Sequence, residues 1–542
     1  MRIDFSLSFA ILPDDNMPKL RPAHYFFIIQ LLFFVLVILG ILPRAVMLYV
    51  TAFIAIVLMR QPLKEGVLFF VQSIPFFVAL PFTESFDSFN AWRIILLLLF
   101  LKWAFEAGLR SLLISALDAI RQPGNFIKKH PYGAGGVLLL LLAFLSLINA
   151  PQVDAGIRRI IYFTNIAFIG IIVHDLVRRD KNFTRELIRA IRVPTMLVIL
   201  AGFIQVASTY FIDIYQFMRL WGEGIQCNQF GGQWCEIAVR LGNTWFAYYG
   251  EQLSLRVFSL FPDSHSFPQF VLLGIPALLA YGVSNITSAP ERLNRFKVLI
   301  MTRGKLAILW VPAAFLIAIL SGTRGIWAAS LGVIIMIIAI NHLLVHFRAS
   351  QTHKALFRYI ASYLTLFFLL FSIAYPIFTS PQFLLSKGDF GLFRNRIKSI
   401  IDFGETSNRQ RIEIWKKSVA SIGRQPLLGV GIGNFPVVLD QDIFLARAGS
   451  SAHNIYLHIA AEMGIPALLA VLSLVSLFFI RTYKTYVLEN DPFVMTYLAG
   501  AMLFIPWVLI YSLTDVALFD ERAMLFLTAT LALITGVDRY YE

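Results

Sequence analysis

Residues 450–480 read SSAHNIYLHIAAEMGIPALLAVLSLVSLFFI. The stretch opens with small polar residues and then runs from 455 to 480 with Glu462 as its single formally charged residue. About 20 predominantly apolar residues in a helix cross the hydrocarbon core of a bilayer. The stretch is therefore predicted to form a transmembrane helix that begins just after His453 and Asn454.

The composition of the whole chain extends this prediction. Hydrophobic residues make up 58% of the 542 residues and charged residues 14%, with a mean hydropathy of +0.72, whereas about a quarter of the residues in a soluble domain are charged. We predict an integral membrane protein. Its net charge of +14 is explained by basic loops between spans rather than by nucleic-acid binding. The acidic residues among the first twenty argue against a cleaved signal peptide.

The predicted fold is all-α, a polytopic membrane bundle of about 14 (12–14) transmembrane helices, judged by the length of each apolar stretch. The stretches lie near 24–42, 45–59, 66–81, 91–107, 134–150, 159–177, 193–214, 266–285, 306–320, 325–345, 359–378, 455–480, 493–513 and 522–537. We divide the bundle into an N-terminal transmembrane scaffold (1–190), a central core (191–480) and a C-terminal transmembrane hairpin (481–542).

The basic residues of the short loops decide the predicted orientation. With the N-terminus inside, loops such as RQPLKEG (60–66) and VRRDKNFTRELIRAIR (177–192) face the cytoplasm, as the positive-inside rule requires. Both termini are then cytoplasmic. Two longer segments, 215–265 and 379–454, are left on the far side of the membrane.

The second outer segment is cationic and contains a predicted interfacial helix. In RIEIWKKSVASIGR (411–424), apolar residues recur at helical spacing, which is typical of an amphipathic helix in a membrane interface. These residues are Ile412, Trp415, Val419 and Ile422.

Two residues of the opening stretch are candidates for chemistry. His453 is predicted at the outer mouth of the bundle, and the pKa of an imidazole suits proton transfer near neutral pH. The alternative is an ordinary interfacial histidine. Glu462 lies nine residues further on, about 13 Å into the membrane at helical rise, where carboxylates are costly and often functional. Its alternative role is to pair with a neighbouring helix and stabilise the bundle.

Three arginines are predicted beside span ends on the same outer side: Arg256, Arg324 and Arg411. Arg324 stands in a turn of small residues, SGTRG, and Arg256 in LRVFSLFPDSHSF, close to His265. Arginine stays charged and binds phosphate through paired hydrogen bonds, so the three together suit a diphosphate. Each one alone is explained by anchoring at the interface.

Cys227 and Cys235 are the only cysteines, and they flank a Gly-Gly pair in the first outer segment. An oxidising compartment favours a disulfide between them, and two free thiols are the alternative. Two cysteines exclude a multi-cysteine metal site, and neither a metal nor a cofactor is predicted.

These elements together resemble the superfamily of O-antigen ligases and polymerases. The family's closing signature is matched by His453, Asn454, Leu457, Glu462 and Gly464. Its preceding helix and turn are matched by Arg411, Trp415, Pro426, Gly429, Gly431 and Gly433. SGTRG and LRVFSLFPDSHSF are similar to two further family elements, with departures at Thr323, Ser264 and His265.

The resemblance implies a GT-C-like glycosyltransferase of cell-envelope polysaccharide biosynthesis, located in a bacterial inner membrane with its active site facing the periplasm. It would move a glycan from a polyprenyl-diphosphate (undecaprenyl-type) carrier to an acceptor hydroxyl by an inverting, metal-independent mechanism. In that reaction Arg256, Arg324 and Arg411 would bind the diphosphate. His453 would act as the base with Glu462 as its helper. The remaining predicted substrate contacts are Asn454, His265 and Tyr456.

The family's motifs leave several acceptors open. A repeat-unit polymerase is favoured by the extra spans and large outer loops, and the alternatives are a ligase that attaches the glycan to lipid A core and a transferase to protein. The expected partners are the lipid-linked glycan, an acceptor glycan or lipid A core, membrane lipid and other polysaccharide-export proteins. A flippase or transporter of lipid-linked oligosaccharides is the non-enzymatic alternative, although the paired broken spans of an inverted repeat are not evident in the sequence.

Overall fold

The computed structural model describes residues 21–82, 89–108, 121–232, 234–236, 245–249, 252–287, 305–347, 349–378, 406–441 and 450–538. Helices dominate these residues, as the predicted all-α class requires. Two short antiparallel hairpins are the only sheets among them: β1 (Ala79–Leu80) pairs with β2 (Phe89–Asn90), and β3 (Phe246–Tyr249) pairs with β4 (Gln252–Leu255).

The N-terminal part consists mainly of apolar helices. They are α1 (Pro22–Ile38), α2 (Val46–Arg60), α3 (Leu63–Ser73), α4 (Ala91–Trp103), α5 (Pro123–Lys129), α6 (Pro131–Ser146), α7 (Val153–Arg179) and α8 (Lys181–Ser208). A short helical segment follows, with α9 (Ile214–Phe217), a π-helical stretch (Met218–Gln226) and α10 (Cys227–Phe230).

The C-terminal part continues the bundle. Its helices are α11 (Ser266–Thr287), α12 (Lys305–Leu320), α13 (Arg324–His346), α14 (Gln351–Ala361), α15 (Tyr363–Phe378), α16 (Thr406–Arg424), α17 (Ile455–Leu488), α18 (Pro492–Tyr511) and α19 (Glu521–Asp538). The amphipathic helix predicted at 411–424 is present as the greater part of α16. The predicted outer stretches 379–405 and 442–449 lie outside the described residues.

Seven helical segments in the described part of the chain are long and apolar enough to cross a membrane. They are 131–149, 153–179, 181–208, 324–346, 351–374, 455–488 and 492–511, and four shorter apolar helices accompany them. The chain is therefore a helical membrane bundle, and the count of about 14 spans stays a prediction.

The third predicted span, 66–81, differs from the structure. α3 ends at Ser73, a 3-10 turn covers Ile74–Phe76, and the chain is then extended, with Ala79 opposite Asn90. Pro75 provides the physical reason, because proline has no N–H to donate and disfavours helical geometry at the preceding residue.

Helix α18 is the central helix of the bundle. Its apolar surface extends all the way round, which is typical of a helix that other helices enclose, and 83% of its most apolar window is buried. Gly500 lets it approach α11 closely, since a Cβ at that position would lie 3.0 Å from the Cα of Pro276. The end of α18 is thereby fixed among the loops that carry the candidate residues.

The polar residues gather at the two ends of the bundle. At one end, ion pairs join Arg21 to Glu186 and Arg185 to Asp491 at 2.6 Å. At the other end lie the starts of α11, α13 and α17 and the connection between α18 and α19. We call this second end the histidine end, because His265 and His453 both lie there.

Candidate functional site

Hydrogen bonds draw four chain segments together at the histidine end. The backbone N–H of Val257 donates to the carbonyl of Leu320 at 3.2 Å, and that of Ile455 donates to the carbonyl of Ser512 at 2.9 Å. The hydroxyl of Thr323 donates to the carbonyl of Ser264 at 2.7 Å. The loops that contain the predicted residues therefore meet in space, although more than 250 residues separate the first from the last.

Arg256, His265 and Asp515 form a chain of polar contacts. Nη1 of Arg256 lies 2.8 Å from Nε2 of His265, and Nδ1 of His265 lies 2.9 Å from Oδ2 of Asp515. A guanidinium only donates, so Nε2 must accept, and the imidazole proton is then on Nδ1, where it is donated to Asp515. The carboxylate thus orients the histidine, and the histidine orients the arginine.

His453 lies beside this chain in an unusual backbone conformation. Its φ is +46°, a left-handed conformation that few residues other than glycine adopt and that often marks a functional site. Its ring is half-buried, and Nδ1 is enclosed without a hydrogen-bond partner in the described part of the chain. A buried ring nitrogen without a partner costs free energy, and a ligand hydroxyl would supply that partner.

The electrostatic environment keeps His453 neutral. Burial lowers the pKa of its imidazole, and the nearby charge of Arg411 lowers it further. Asp515 acts in the opposite direction and raises that pKa. An imidazole whose pKa is below its ordinary value is unprotonated at neutral pH and is available as a base.

Asp515 is ionised in this environment. Burial alone raises the pKa of its carboxyl group, but the hydrogen bond from His265 and the charge of Arg411 outweigh burial and hold the pKa well below its usual range. A fixed negative charge next to His453 stabilises any positive charge that develops on that imidazole.

Arg411 reaches the same site from helix α16. Its charge acts on both His453 and Asp515. One helical turn later, Nε1 of Trp415 donates to the carbonyl of Ala452 at 2.9 Å. This hydrogen bond joins α16 to the residue before His453 and so fixes Arg411 relative to the imidazole.

Arg324 is the first residue of α13 and is half-buried at the histidine end. Its neighbour Gly325 packs against α18, since a Cβ there would lie 2.4 Å from Oγ1 of Thr514 and 2.5 Å from the ring of Tyr511. The small residues of the predicted SGTRG turn thus permit close packing of α13 beside the segment that holds Asp515.

Glu462 is buried against the glycine-rich turn at 429–434. One of its carboxylate oxygens accepts a hydrogen bond from the N–H of Phe435 at 3.1 Å and lies 3.4 Å from Nε2 of His458. The ring of His458 stacks on Phe435 at 4.5 Å. These contacts hold the turn against α17, so they support the structural alternative for Glu462. Its role as a catalytic helper stays a prediction.

Asn454 and Tyr456, both predicted to contact substrate, have structural partners. The side chain of Asn454 caps α17 by accepting from the N–H groups of Tyr456 and Leu457 at 3.0 and 3.1 Å. The hydroxyl of Tyr456 donates to the carbonyl of Leu509 at 2.9 Å. These hydrogen bonds do not support the predicted contacts of Asn454 and Tyr456 with substrate.

Cys227 and Cys235 are joined by a disulfide, with their Cα atoms 5.0 Å apart. The same segment is linked to the bundle by Arg522, whose guanidinium lies 4.4 Å from the ring of Phe230. Among the described residues no group of three or more metal-binding side chains occurs.

Asp515 and Tyr511 are the site residues that the sequence analysis missed. The hydroxyl of Tyr511 lies 3.1 Å from Nδ1 of His265. Both residues stand at the end of an apolar span, in YSLTD (511–515). The carboxylate of Asp515, at a span end on the same side as the arginines, is the feature of the sequence that could have indicated this part of the site.

One comparison with known proteins bears directly on this site. Residues 308–472 match a family model described as O-antigen ligase. Over these residues the chain is similar to the O-antigen ligase family. The matched segment contains Arg324, Arg411, His453 and Glu462, so the resemblance to the O-antigen ligase and polymerase superfamily is confirmed. A comparison with curated proteins gives no match.

Similarity to the O-antigen ligase family supports glycosyltransferase-like activity of the ligase or polymerase type, which acts on a lipid-linked glycan and an acceptor. Together with the apolar helices, it indicates an integral inner-membrane protein. Arg256, His265 and Asp515 lie outside the matched residues, and it is their contacts that connect them to the family segment.

Proposed function

We propose that this protein transfers a glycan from a polyprenyl-diphosphate carrier to an acceptor hydroxyl on the periplasmic side of the inner membrane, as a repeat-unit polymerase. One arrangement at the histidine end carries the proposal. The neutral imidazole of His453, whose Nδ1 has no hydrogen-bond partner among the described residues, lies beside the contacts that join Arg256 to His265 and His265 to Asp515.

The arginines would serve the leaving group. As the bond between the anomeric carbon and the diphosphate oxygen breaks, negative charge develops on that oxygen, and fixed cations stabilise it most when they are already in position. Arg256 is held in position through His265, and Arg411 through the Trp415 hydrogen bond. Arg324 would complete the diphosphate site from α13.

His453 would serve the acceptor. The acceptor hydroxyl attacks the anomeric carbon from the face opposite the diphosphate, which inverts the configuration, and its proton passes to the imidazole. The resulting imidazolium lies near the Asp515 carboxylate, which favours its formation. The new glycosidic bond and the free polyprenyl diphosphate are the products.

The disulfide supports the proposed side of the membrane. Disulfides persist in oxidising compartments such as the periplasm and are rare in the cytosol. Cys227 and Cys235 lie in the segment that precedes Arg256, on the chain between α8 and α11, and so favour a periplasmic histidine end.

A ligase that attaches the glycan to lipid A core is the second candidate, because the matching family model is described as O-antigen ligase. Its chemistry at the anomeric carbon would be the same, and the acceptor alone would differ.

The two candidates are separated by one experiment with the purified protein in lipid nanodiscs. Undecaprenyl-diphosphate oligosaccharide is supplied either alone or with lipid A core, and the products are resolved by mass spectrometry. The polymerase predicts longer oligosaccharides on the carrier in both samples. If the glycan is transferred to lipid A core and the carrier-linked oligosaccharides do not lengthen, the protein is a ligase instead. If neither acceptor receives glycan, the proposed function is contradicted.

A further inference from the structure

Two arginines of the N-terminal scaffold lie at the histidine end but outside the site described above. Arg93 is the third residue of α4, and Arg159 lies in the second turn of α7. Both are half-buried, and both act electrostatically on the phenol of Tyr162. One location between α4 and α7 therefore carries two positive charges.

Aromatic rings are the immediate neighbours of both cations. The guanidinium of Arg93 lies 5.4 Å from the ring of Trp92, and that of Arg159 lies 5.9 Å from Tyr162 and 6.0 Å from Phe163. In the described part of the chain neither arginine is within ion-pair distance of a carboxylate, and Nε of Arg93 is buried without a hydrogen-bond partner. An anion bound between the two helices would supply hydrogen-bond acceptors that these aromatic neighbours do not.

The acidic residues near this pair are already engaged. The Glu521 carboxylate accepts from Nδ2 of Asn90 at 2.8 Å and from Nε1 of Trp92 at 2.9 Å, and it faces Arg522 at 3.5 Å. Asp520 also acts on Tyr162, and it accepts from the N–H of Arg522 at 3.0 Å.

Glu462, on which Arg159 also acts, is bonded to Phe435 and His458. Within the described part of the chain, the arginine pair is consequently not neutralised by a direct partner.

A five-residue loop connects this pair to the proposed catalytic site. Asp515 holds His265 at the beginning of the loop, and the carbonyl of Phe519 accepts from the Tyr162 hydroxyl at 2.7 Å at its end. Four residues of extended chain span at most about 14 Å. The two ends of the loop, one in contact with His265 and the other with Tyr162, are therefore close enough for a short oligosaccharide to extend from one to the other.

We propose that Arg93 and Arg159 form a second anion-binding subsite, which holds a carboxylate or phosphate group of the glycan away from the reacting sugar. Arginine pairs bind both groups through parallel hydrogen bonds. The inference rests on the proposed function for its substrate, and it gives the N-terminal scaffold a part in selecting acidic glycans.

The test uses the full-length protein in nanodiscs of zwitterionic phosphatidylcholine. The probe is a hyaluronan tetrasaccharide, which carries glucuronate, and its matched control is the same tetrasaccharide with the carboxyl groups reduced to alcohols. Binding is measured by saturation-transfer NMR for the wild type, Arg93→Gln and Arg159→Gln. We expect the acidic probe to bind at least tenfold more tightly than the reduced one, and each variant to lose about tenfold in affinity for it.

Arg158→Gln is the matched control variant. Arg158 is adjacent in sequence, but its side chain is 82% exposed and pairs with Asp154 on the same helix at 3.4 Å. It should leave binding of the acidic probe unchanged. Arg159→Lys keeps the positive charge and should recover part of the affinity that Arg159→Gln loses. Such recovery would attribute the loss to the missing charge rather than to misfolding.

Several results would overturn the subsite. Equal binding of the acidic and reduced probes, or unchanged affinity in both glutamine variants, would remove it. Displacement of the acidic probe when phosphatidylglycerol is added to the nanodisc would assign the pair to a membrane lipid.

Loss of undecaprenyl-diphosphate binding in Arg93→Gln or Arg159→Gln would make the pair part of the donor site, which also overturns the proposal. Failure of the proposed function is a separate result, since it would appear as absent glycan transfer by the wild type with binding of the acidic probe intact.

Discussion

The balance of charges around His453 sets the pH range in which it acts as a base. Burial and the charge of Arg411 lower the pKa of His453, whereas Asp515 raises it. Because only the neutral imidazole accepts a proton, transfer should fall as pH decreases through this pKa, which lies below the ordinary value of about 6.5.

The decrease in transfer rate at low pH is the acid limb of the pH profile, and two substitutions should move it in opposite directions. Asp515→Asn removes a charge that raises the pKa of His453, so the limb shifts to lower pH. Arg411→Gln removes a charge that lowers the pKa, so the limb shifts to higher pH. The measurement is the maximal rate of glycan transfer against pH at saturating donor. Shifts of the same sign in both variants would contradict the assignment of His453 as the titrating base.

Asp520 makes a second pH-dependent contribution, this time to stability. Burial, opposed by Arg522 and assisted by Asp263 and Glu521, raises the pKa of Asp520 to about 7. A raised pKa means that the folded state binds the proton more tightly, so stability is lost as pH rises from about 4, the usual pKa of aspartate, to about 7.

Asp520→Asn should therefore stabilise the protein at pH 8, because the amide stays neutral and still accepts from the first turn of α19. A tenfold difference in proton affinity between the folded and unfolded states corresponds to about 1.4 kcal/mol, so a gain of at least about 1 kcal/mol is expected at pH 8 and little change at pH 4. Thermal unfolding followed at both pH values measures it. A variant that is less stable than wild type at pH 8 would show that the charged carboxylate is required.

At the scale of single residues, the sequence indicates His453 and the arginines as candidates because each stands at a span end beside small or polar residues. The chain of contacts from Arg256 through His265 to Asp515 was not predictable, because it joins residues 259 positions apart in sequence. For Asn454 and Glu462 the sequence does not distinguish a structural role from substrate binding. The side-chain oxygens that accept hydrogen bonds within the protein could equally accept them from a ligand.

At the scale of elements, the glycine-rich turn between α16 and α17 is packed rather than flexible. The N–H groups of Val430 and Gly431 donate to the carbonyls of Ala461 and Glu462, both at 2.9 Å. At Gly464, where φ is +83°, a Cβ would lie 2.2 Å from the carbonyl oxygen of Leu427. The turn and the first part of α17 thus form one rigid support for His453.

Gly464→Ala should therefore destabilise the protein. A residue with a side chain in this left-handed conformation costs at least about 1–2 kcal/mol, and the contact with Leu427 adds to that cost. Thermal unfolding in detergent should show a lower Tm. Gly136→Ala is the control, since no atom lies within 4 Å of the position that its methyl group would occupy on α6, and it should leave Tm unchanged or slightly higher. Equal Tm values for wild type and Gly464→Ala would contradict the packed turn.

The sequence pattern predicted the long apolar helices and the amphipathic α16 because periodicity and length are local properties. It overextended the third span because a run of apolar residues continues through Ile74 and Pro75 although the helix does not. Residues buried in extended backbone and residues buried in a helix have the same apolar composition, so composition alone does not separate them.

At the scale of the whole molecule, the proposed transfer on the periplasmic side requires the histidine end to face the periplasm. Leu513 is 47% exposed at this end, and Leu488 is 51% exposed at the other. Leu513→Cys should react with a membrane-impermeant maleimide in intact spheroplasts, and Leu488→Cys only after permeabilisation. The unmodified protein should not react, because its two cysteines form a disulfide. The reverse labelling pattern would contradict the proposed orientation.

The arrangement of the bundle was beyond the sequence analysis. Helix α18 is apolar on all sides, which predicts burial but does not identify its neighbours. The C-terminal helices, predicted as a separate hairpin, place Tyr511 and Asp515 beside the residues of the central part. The N-terminal scaffold likewise brings Arg93 and Arg159 to the histidine end, where no sequence motif had indicated a function.

The most direct test of the central claim is single-turnover glycan transfer by His453→Ala with the donor already bound. General-base catalysis contributes about 10²–10⁴-fold, so transfer should fall at least about 100-fold, while the affinity for undecaprenyl-diphosphate oligosaccharide stays within about twofold of wild type because the arginines remain. His342→Ala, at the opposite end of α13, should transfer normally. Transfer at the wild-type rate by His453→Ala would contradict the claim that this imidazole accepts the proton.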